Sequence, residues 1–219
     1  MIYNTRGIVV HQIKYGETSV VTRVYTELFG LQSYIINGVR VKRAKIKSNI
    51  LQPLSVLDMG VYNRDKRSLQ RVKYAEAVNP TSPIGLNVVK GSLAIFIAEV
   101  IYRSIQEEEP NQNLFDFLVH FIKELESEEG SVANYHLIFM LELSGHLGFR
   151  PTSSFSDEAI YFDKREGVFC NQVPPHGDWM DKESSSLLKA LLTADSKESL
   201  DQNLTSVQRN DLVQHLIAY

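Results

Sequence analysis

The segment Val39-Arg40-Val41-Lys42-Arg43-Ala44-Lys45-Ile46-Lys47 places five cations in the eight positions 40–47. Cations clustered in this way attract polyanions by contacting phosphates and releasing their counterions. Further cations follow at Arg64, Lys66, Arg67, Arg71 and Lys73. Seven aromatic residues share the first eighty positions: Tyr3, Tyr15, Tyr25, Phe29, Tyr34, Tyr62 and Tyr74. Single-stranded nucleic acid is bound by this combination, a cationic groove with aromatic platforms, because every base has a face that stacks. The candidate phosphate contacts are therefore Arg40, Lys42, Arg43, Lys45, Lys47, Arg64, Lys66, Arg67, Arg71 and Lys73. Tyr34 and Tyr74 are the candidate stacking platforms. Nothing here reads base edges, so sequence-tolerant binding is expected. The plainer role for such cations is a solvated surface, and for each aromatic it is core filling.

The basic cluster belongs to a larger asymmetry. Residues 1–80 hold 13 Lys and Arg against 5 Asp and Glu, a net of +8. The remaining 139 residues hold 10 against 21, a net of −11, so a chain of net charge −3 conceals two strongly opposed parts. The polyanion reading competes with a protein-interaction adaptor, in which the basic part docks on an acidic partner.

Other chemistries find little footing. The single cysteine, Cys170, forbids an intrachain disulfide and a cysteine-rich zinc site, and suits a reducing, cytoplasmic setting. His176 and Asp178 lie near Cys170 but do not complete a tetrahedral set, so no metal is expected. Glu107-Glu108-Glu109 and Glu126-Ser127-Glu128-Glu129 sit at helix ends, where solvated charge is the default, and neither has a spacing suited to two-metal chemistry. No phosphate-cradling glycine loop is present, and Gly145-His146-Leu147-Gly148 reads as a helix end. The expectation is a non-enzyme without cofactors. No apolar stretch approaches the ~20 residues of a membrane span, and the N-terminus lacks the order of a signal peptide.

The elements that carry these residues change type near position 80. Before it, β-branched runs at Gly7–Ile13, Thr18–Thr26, Leu31–Asn37, Ile50–Tyr62 and Leu69–Val78 read as five strands, with Pro53 marking an edge or a bulge. Five strands in about 75 residues suit the OB-fold barrel, which binds oligonucleotides. The basic segment then falls in the loop between the third and fourth strands, where binding residues concentrate. After Asn79-Pro80-Thr81-Ser82-Pro83 the pattern is helical. One helix is expected over Pro83–Gln106, apolar nearly all round and so central to a bundle. Others are expected over Asn113–Glu126 and Ser131–His146. Between Pro151 and Pro175 the chain is irregular, with one hairpin of Ile160–Phe162 and Val168–Phe169. Asp181 caps a helix over Lys182–Leu192, and Thr205-Ser206-Val207-Gln208 is a capping box for the last, reaching about Ala218. The expected class is α+β: a five-stranded OB-fold over residues 1–79 and a mainly helical domain over 80–219, with an insertion around 151–180.

Several ordered pieces resemble a known family. Tyr15-Gly16-Glu17, Tyr25-Thr26-Glu27-Leu28-Phe29-Gly30, Gly38-Val39-Arg40-Val41-Lys42-Arg43, Leu51-Gln52-Pro53 and Ala75-Glu76-Ala77 are similar to the N-terminal module of RecO, a bacterial recombination mediator. Phe139 through Leu143 and Gly145-His146-Leu147-Gly148-Phe149-Arg150-Pro151 resemble its central helix and the exit from that helix. Tyr161-Phe162-Asp163 and Glu166-Gly167-Val168-Phe169 also resemble family segments. The resemblance implies DNA repair and recombination: binding of single- and double-stranded DNA and annealing of complementary strands. It implies RecR and the acidic C-terminal tail of single-strand binding protein as partners, with RecA loaded onto the coated DNA. It implies a cytoplasmic, nucleoid-associated protein and carries the basic motif to Arg40, Lys42, Arg43 and Lys47. One departure matters. Many members have four zinc-binding cysteines after Gly-Phe-Arg-Pro, whereas this chain has only Cys170. The region must then be held by packing, with Phe155, Tyr161, Phe162, Phe169 and Trp179 as the candidates.

Overall fold

Thirteen residues, Tyr3–Tyr15, form β1, a strand long enough to pair with two neighbours in succession. In this computed structural model, which describes residues 1–64, 68–106, 108–152, 158–193 and 202–219, it does both. Its first half pairs with β4 (Val56–Tyr62), from Tyr3↔Val61 to Ile8↔Val56. A register shift between Val9 and His11 then bends it, and the second half pairs with β2 (Ser19–Thr26), ending at Tyr15↔Ser19. β3 (Gly30–Ile36) follows antiparallel to β2. β5 (Gln70–Ala77) lies between β3 and β4, parallel to the first and antiparallel to the second. The order β1-β2-β3-β5-β4 closes on itself, so no strand edge is left open. This is the five-stranded OB barrel. Its interior is filled by Val9, Val20, Val24, Tyr34, Ile36, Leu57, Met59 and Val61, with Val39, Ile46 and Leu51 from the β3–β4 connection.

The fourth strand starts later than the sequence pattern suggests. Ser48–Leu51 is a 3-10 turn, and Leu54 adopts φ 62°, a left-handed conformation rare for a branched side chain. Two backbone bonds hold it there: Leu54 N donates to Val9 O (2.8 Å) and Val9 N to Ser55 O (3.0 Å). Pro53 thus lies in a turn ahead of the strand, not within it.

The expected helix over Pro83–Gln106 is two pieces. Ser82 caps a 3-10 turn at Pro83–Gly85. Asn87, in extended conformation, then starts α1 (Val88–Ser104), its side chain accepting from the N–H groups of Val89 and Lys90. Nor is α1 the centre of a bundle. It packs against β1, burying Ala94, Ile97, Ala98 and Ile101 and leaving Val88, Val89 and Ile95 exposed. α2 (Gln112–Ser127) is amphipathic, with Leu114, Phe115, Leu118, Phe121, Ile122 and Leu125 buried. The buried Lys90 ammonium donates to the carbonyl of Glu126 (3.0 Å), closing the C-terminal end of α2.

Residues 1–127 form one compact unit and 128–219 a second. The change of texture at residue 80 therefore falls inside the first unit. In the second, α3 (Tyr135–His146), α4 (Lys182–Thr193) and α5 (Ser206–Ile217) accompany a small antiparallel sheet of β6 (Tyr161–Asp163), β7 (Val168–Cys170) and β8 (Trp179–Met180), in the order β7-β6-β8. The hairpin is where the sequence places it. So are two caps: Asp181 accepts from Ser184 N (2.8 Å), and Thr205 and Gln208 form a complete capping box. α3 begins at Tyr135, four residues later than expected from Ser131.

Candidate nucleic-acid interface

The loop from Asn37 to Lys47 is built so that its cations point away from the barrel. Gly38 opens it at φ 67°, a conformation glycine adopts without strain. Arg40 N then donates to Thr18 O in the β1–β2 turn (3.2 Å), and Ala44 N closes a turn on Val41 O (3.1 Å). Val39 and Ile46 insert into the barrel core, 3% and 8% exposed. Two apolar anchors, seven residues apart, therefore hold a loop whose composition gives no reason to expect order. Between and beside them Arg40, Lys42, Arg43, Lys45 and Lys47 are all exposed. None of the five is engaged in an ion pair among the described residues. Their mutual repulsion is left uncompensated, which favours an anionic ligand.

The β4–β5 turn adds to this edge. Tyr34↔Gln70 and Ile35↔Arg71 set the start of β5 beside the end of β3, from which the basic loop departs. Gln70 is buried and grips the backbone of Arg64 twice: Arg64 N donates to Gln70 Oε1 (3.0 Å), and Gln70 Nε2 donates to Arg64 O (2.9 Å). Tyr62, Arg64, Leu69, Gln70 and Arg71 line an open cleft of about 290 Å³. Arg64, Arg71 and Lys73 are exposed, Lys73 at the register shift opposite Gly60 and Val61. Lys66 and Arg67 lie outside the described residues.

Neither expected stacking platform belongs to this edge. Tyr34 is 0% exposed and fills the barrel, where burial pushes its phenol pKa up. It has no ring face open to a base, so its role is core filling. Tyr74 is 41% exposed, but its ring lies across Gly60, where any Cβ would sit 2.2 Å from the ring, and its hydroxyl donates to Asn4 Oδ1 (2.9 Å). Tyr74 also shares a surface with carboxylates rather than cations: Asn4, Arg6, Glu27, Asp58 and Tyr74 line one shallow depression. There Arg6 is already neutralised. It binds Glu27 through two nitrogens (2.7 and 3.0 Å) and lies 5.1 Å above the Phe115 ring. The same hydrogen bond lowers the Glu27 pKa and raises that of Arg6.

One aromatic passed over in the sequence does lie beside the basic loop. Tyr15, 54% exposed, ends β1 at the β1–β2 turn to which Arg40 is hydrogen-bonded. Alternation could not have singled it out, because Gln12, Ile13, Lys14 and Tyr15 are all exposed at the end of β1.

The region at 151–180 does not fit a zinc site. Its one thiol, Cys170, donates to Tyr161 O (3.6 Å) and Gln172 O (3.2 Å), with its pKa raised by burial and the nearby charge of Asp163. No group of three potential metal ligands occurs among the described residues. Packing, an ion pair and a hydrogen bond hold the segment. Phe162, fully buried, meets Phe169 (5.0 Å) and Tyr219 (5.5 Å), and Tyr161 meets Trp179 edge-on (5.5 Å). His176 pairs with Asp163 (3.2 Å) and Arg165 with Asp178 (2.6 Å). Phe155 lies outside the described residues.

Comparison with known proteins covers nearly the whole of this architecture. Residues 1–81 match the family described as "Recombination protein O N terminal" and residues 87–219 the family "Recombination protein O C terminal". The chain is similar to the DNA repair protein RecO of Bacteroides fragilis, 35% identical over 193 residues, spanning 88% of this chain and 80% of that protein. It is 33% identical over 221 residues to the DNA repair protein RecO of Flavobacterium psychrophilum, spanning 100% of this chain and 91% of the relative. Against the protein of that name from Azobacteroides pseudotrichonymphae the identity is 28% over 219 residues, spanning 100% of this chain and 91% of the relative.

Proposed function

Because the chain belongs to the RecO family, we propose that it is a DNA repair protein that binds single- and double-stranded DNA through the basic edge of its barrel and anneals complementary strands. In this reading it acts with RecR and with the acidic tail of single-strand binding protein to help load RecA onto coated DNA, without catalysing a reaction itself. The setting is the bacterial cytoplasm at the nucleoid; no helix among the described residues is long and apolar enough to cross a membrane.

The observation that carries the reading is the loop at 39–47, whose five exposed cations have no carboxylate partner among the described residues while Val39 and Ile46 fix their spacing. Annealing follows from such a surface by simple electrostatics. Two complementary strands repel along their length, and neutralising phosphates on both lowers that repulsion and lets bases meet. The functional division proposed is a DNA-binding module over residues 1–79 and an acidic, partner-facing remainder over 80–219.

Strand annealing of labelled oligonucleotides, with and without single-strand binding protein, tests the proposal, together with anisotropy at several salt concentrations. Accelerated annealing with salt-sensitive binding is expected. Absence of any DNA affinity at low salt, alongside binding to an acidic protein, would replace this reading with that of an adaptor.

A further inference from the structure

The basic loop leaves β3 through Asn37-Gly38, the single Asn-Gly pair in the chain; each of the other 11 asparagines precedes a residue with a side chain. An asparagine carries its own electrophile, the side-chain carbonyl carbon, within reach of the next residue's main-chain nitrogen. Glycine, having no Cβ, shields that nitrogen least. The conformation of Gly38 also reserves the position for glycine. Its φ is 67°, and a Cβ added there would meet only Val41 Cγ2 at 4.0 Å, so backbone strain rather than crowding disfavours other residues. The residue that lets the loop leave the barrel is therefore the one that bares the nitrogen.

The fold leaves this pair open to reaction in three ways. Asn37 is exposed, so ammonia can depart and water can enter. Ser19 Oγ donates to Asn37 Oδ1 (3.1 Å), which polarises the carbon to be attacked. Gly38 N donates no hydrogen bond among the described residues, whereas Arg40 N, two residues on, is bonded to Thr18 O. The Gly38 amide proton is thus free to be lost to solvent base. Elsewhere asparagines are tied down by the backbone: Asn87 Oδ1 accepts from the N–H groups of Val89 and Lys90 at the start of α1.

We propose that Asn37 is a site of spontaneous deamidation that lowers the affinity of the basic loop for anions. The Gly38 nitrogen, deprotonated by hydroxide, attacks Asn37 Cγ. The new N–C bond closes a succinimide ring while the Cγ–Nδ2 bond breaks and ammonia leaves. Water then opens the ring at one of its two carbonyls. Opening at Cγ gives aspartate in the ordinary main chain. Opening at the Asn37 main-chain carbonyl gives isoaspartate, with the chain running through the former side chain. The sum is amide plus water giving carboxylate plus ammonium, with no oxidant or reductant. Either product places a negative charge beside a loop whose residues 40–47 hold five cations and no carboxylate. Isoaspartate also lengthens the main chain by one methylene between the end of β3 and the Val39 anchor, which is 3% exposed. The effect on affinity rests on the reading of this chain as a DNA-binding protein; the chemistry does not.

The test ages the folded full chain at mildly alkaline pH, beside its Asn37→Gln variant, and follows peptide masses after digestion. The mass gain of an amide-to-acid exchange should appear at Asn37 ahead of every other asparagine. A protein-isoaspartate methyltransferase should label the aged wild type and leave aged Asn37→Gln unlabelled. Asn37→Asp, which carries the charge of the product, should melt like the wild type because the side chain is exposed. It should bind a fluorescein-labelled oligothymidylate about 2- to 5-fold more weakly, the effect of one added charge within a Debye length of the bound strand. Asn37→Gln should bind like the wild type. If Asn37 in the folded protein gains no mass, or gains it no faster than the other asparagines, the site is wrong and the DNA-binding reading stands. If Asn37 reacts but Asn37→Asp binds the oligonucleotide as tightly as the wild type, the effect on the loop is wrong. If the wild type binds no oligonucleotide, the DNA-binding reading falls and the effect with it, while the mass gain still decides whether Asn37 reacts.

Discussion

The loop at 39–47 and the segment at 163–178 are both short, charged and anchored by buried apolar side chains, Val39 and Ile46 in one case and Phe162 and Met180 in the other. Their charges end differently. In the second unit the Arg165 charge is held by Asp178, and Asp163 has a polar contact with His176, so these groups are satisfied within the segment. In the barrel loop, cations outnumber carboxylates five to none over 40–47. The contrast separates two uses of polar sequence. Where metal-binding cysteines are missing, paired charges and aromatic packing hold a segment together. Where the pairing is withheld, apolar anchors hold the cations together at the surface, an arrangement that attracts an anionic ligand.

The largest effects are expected at the anchors. Phe162→Ala should destabilise the second unit by about 3–5 kcal/mol in chemical denaturation, the cost of emptying a closed aromatic core. A loss below about 1 kcal/mol would mean that packing does not hold the segment. Ile46→Ala should cost about 2–4 kcal/mol. It should also weaken oligonucleotide binding, although no charge is touched, because the cations lose their fixed spacing; unchanged affinity would show that the loop needs no anchor.

The charges themselves come next. Replacing Arg40, Lys42 and Arg43 together with Ala should lower the slope of log K against log salt by about 0.7 for each lost contact on a single strand. Stability should move by no more than about 0.5 kcal/mol, as for exposed sites generally. The matched change Arg165→Ala should leave that slope alone, since its charge is already paired with Asp178. Equal slopes for the wild type and the triple variant would remove the loop from the interface.

The smallest effect concerns Arg6 and Glu27. The Arg6 guanidinium lowers the Glu27 pKa below its ordinary value of 4.5, so the pair stabilises the fold above that value and the contribution is lost as pH falls through the lower, folded one. The pair is partly exposed, so no more than about 1 kcal/mol is at stake. Thermal melts should show Glu27→Gln less stable than wild type at neutral pH, with the gap closing below pH 4.5. A gap that stays constant with pH would assign the loss to the hydrogen bond from Gln112 (3.2 Å) rather than to charge.

Much of this was open to reading in the chain. The five strands, the loop between the third and fourth, the hairpin around Lys164–Gly167 and the caps at Asp181 and Thr205 are local signals and all are present, although β1 starts four residues earlier and β4 six residues later than the pattern suggests. The misplacements share a cause. Ile50–Ser55 looked like strand, yet Leu54 is held left-handed by hydrogen bonds to Val9, more than forty residues away in sequence. The helix expected from Pro83 breaks because Asn87 offers a second cap to the backbone. α1 looked like a bundle centre because its apolar residues run all round, but apolar composition does not say what covers each face.

The interface divides in the same way. The amino-acid sequence by itself determined that residues 40–47 are a cationic loop between strands, because charge and turn chemistry are local properties. Only the tertiary structure decided which aromatics could meet a ligand. Tyr34 and Tyr15 are alike as residues in strands, and strand periodicity assigns each to one of two faces without saying which face is inside. Rolling the strands into a closed barrel fixed that choice, burying Tyr34 inside and leaving Tyr15 exposed at the end of β1, next to the turn whose Thr18 carbonyl accepts from Arg40 N.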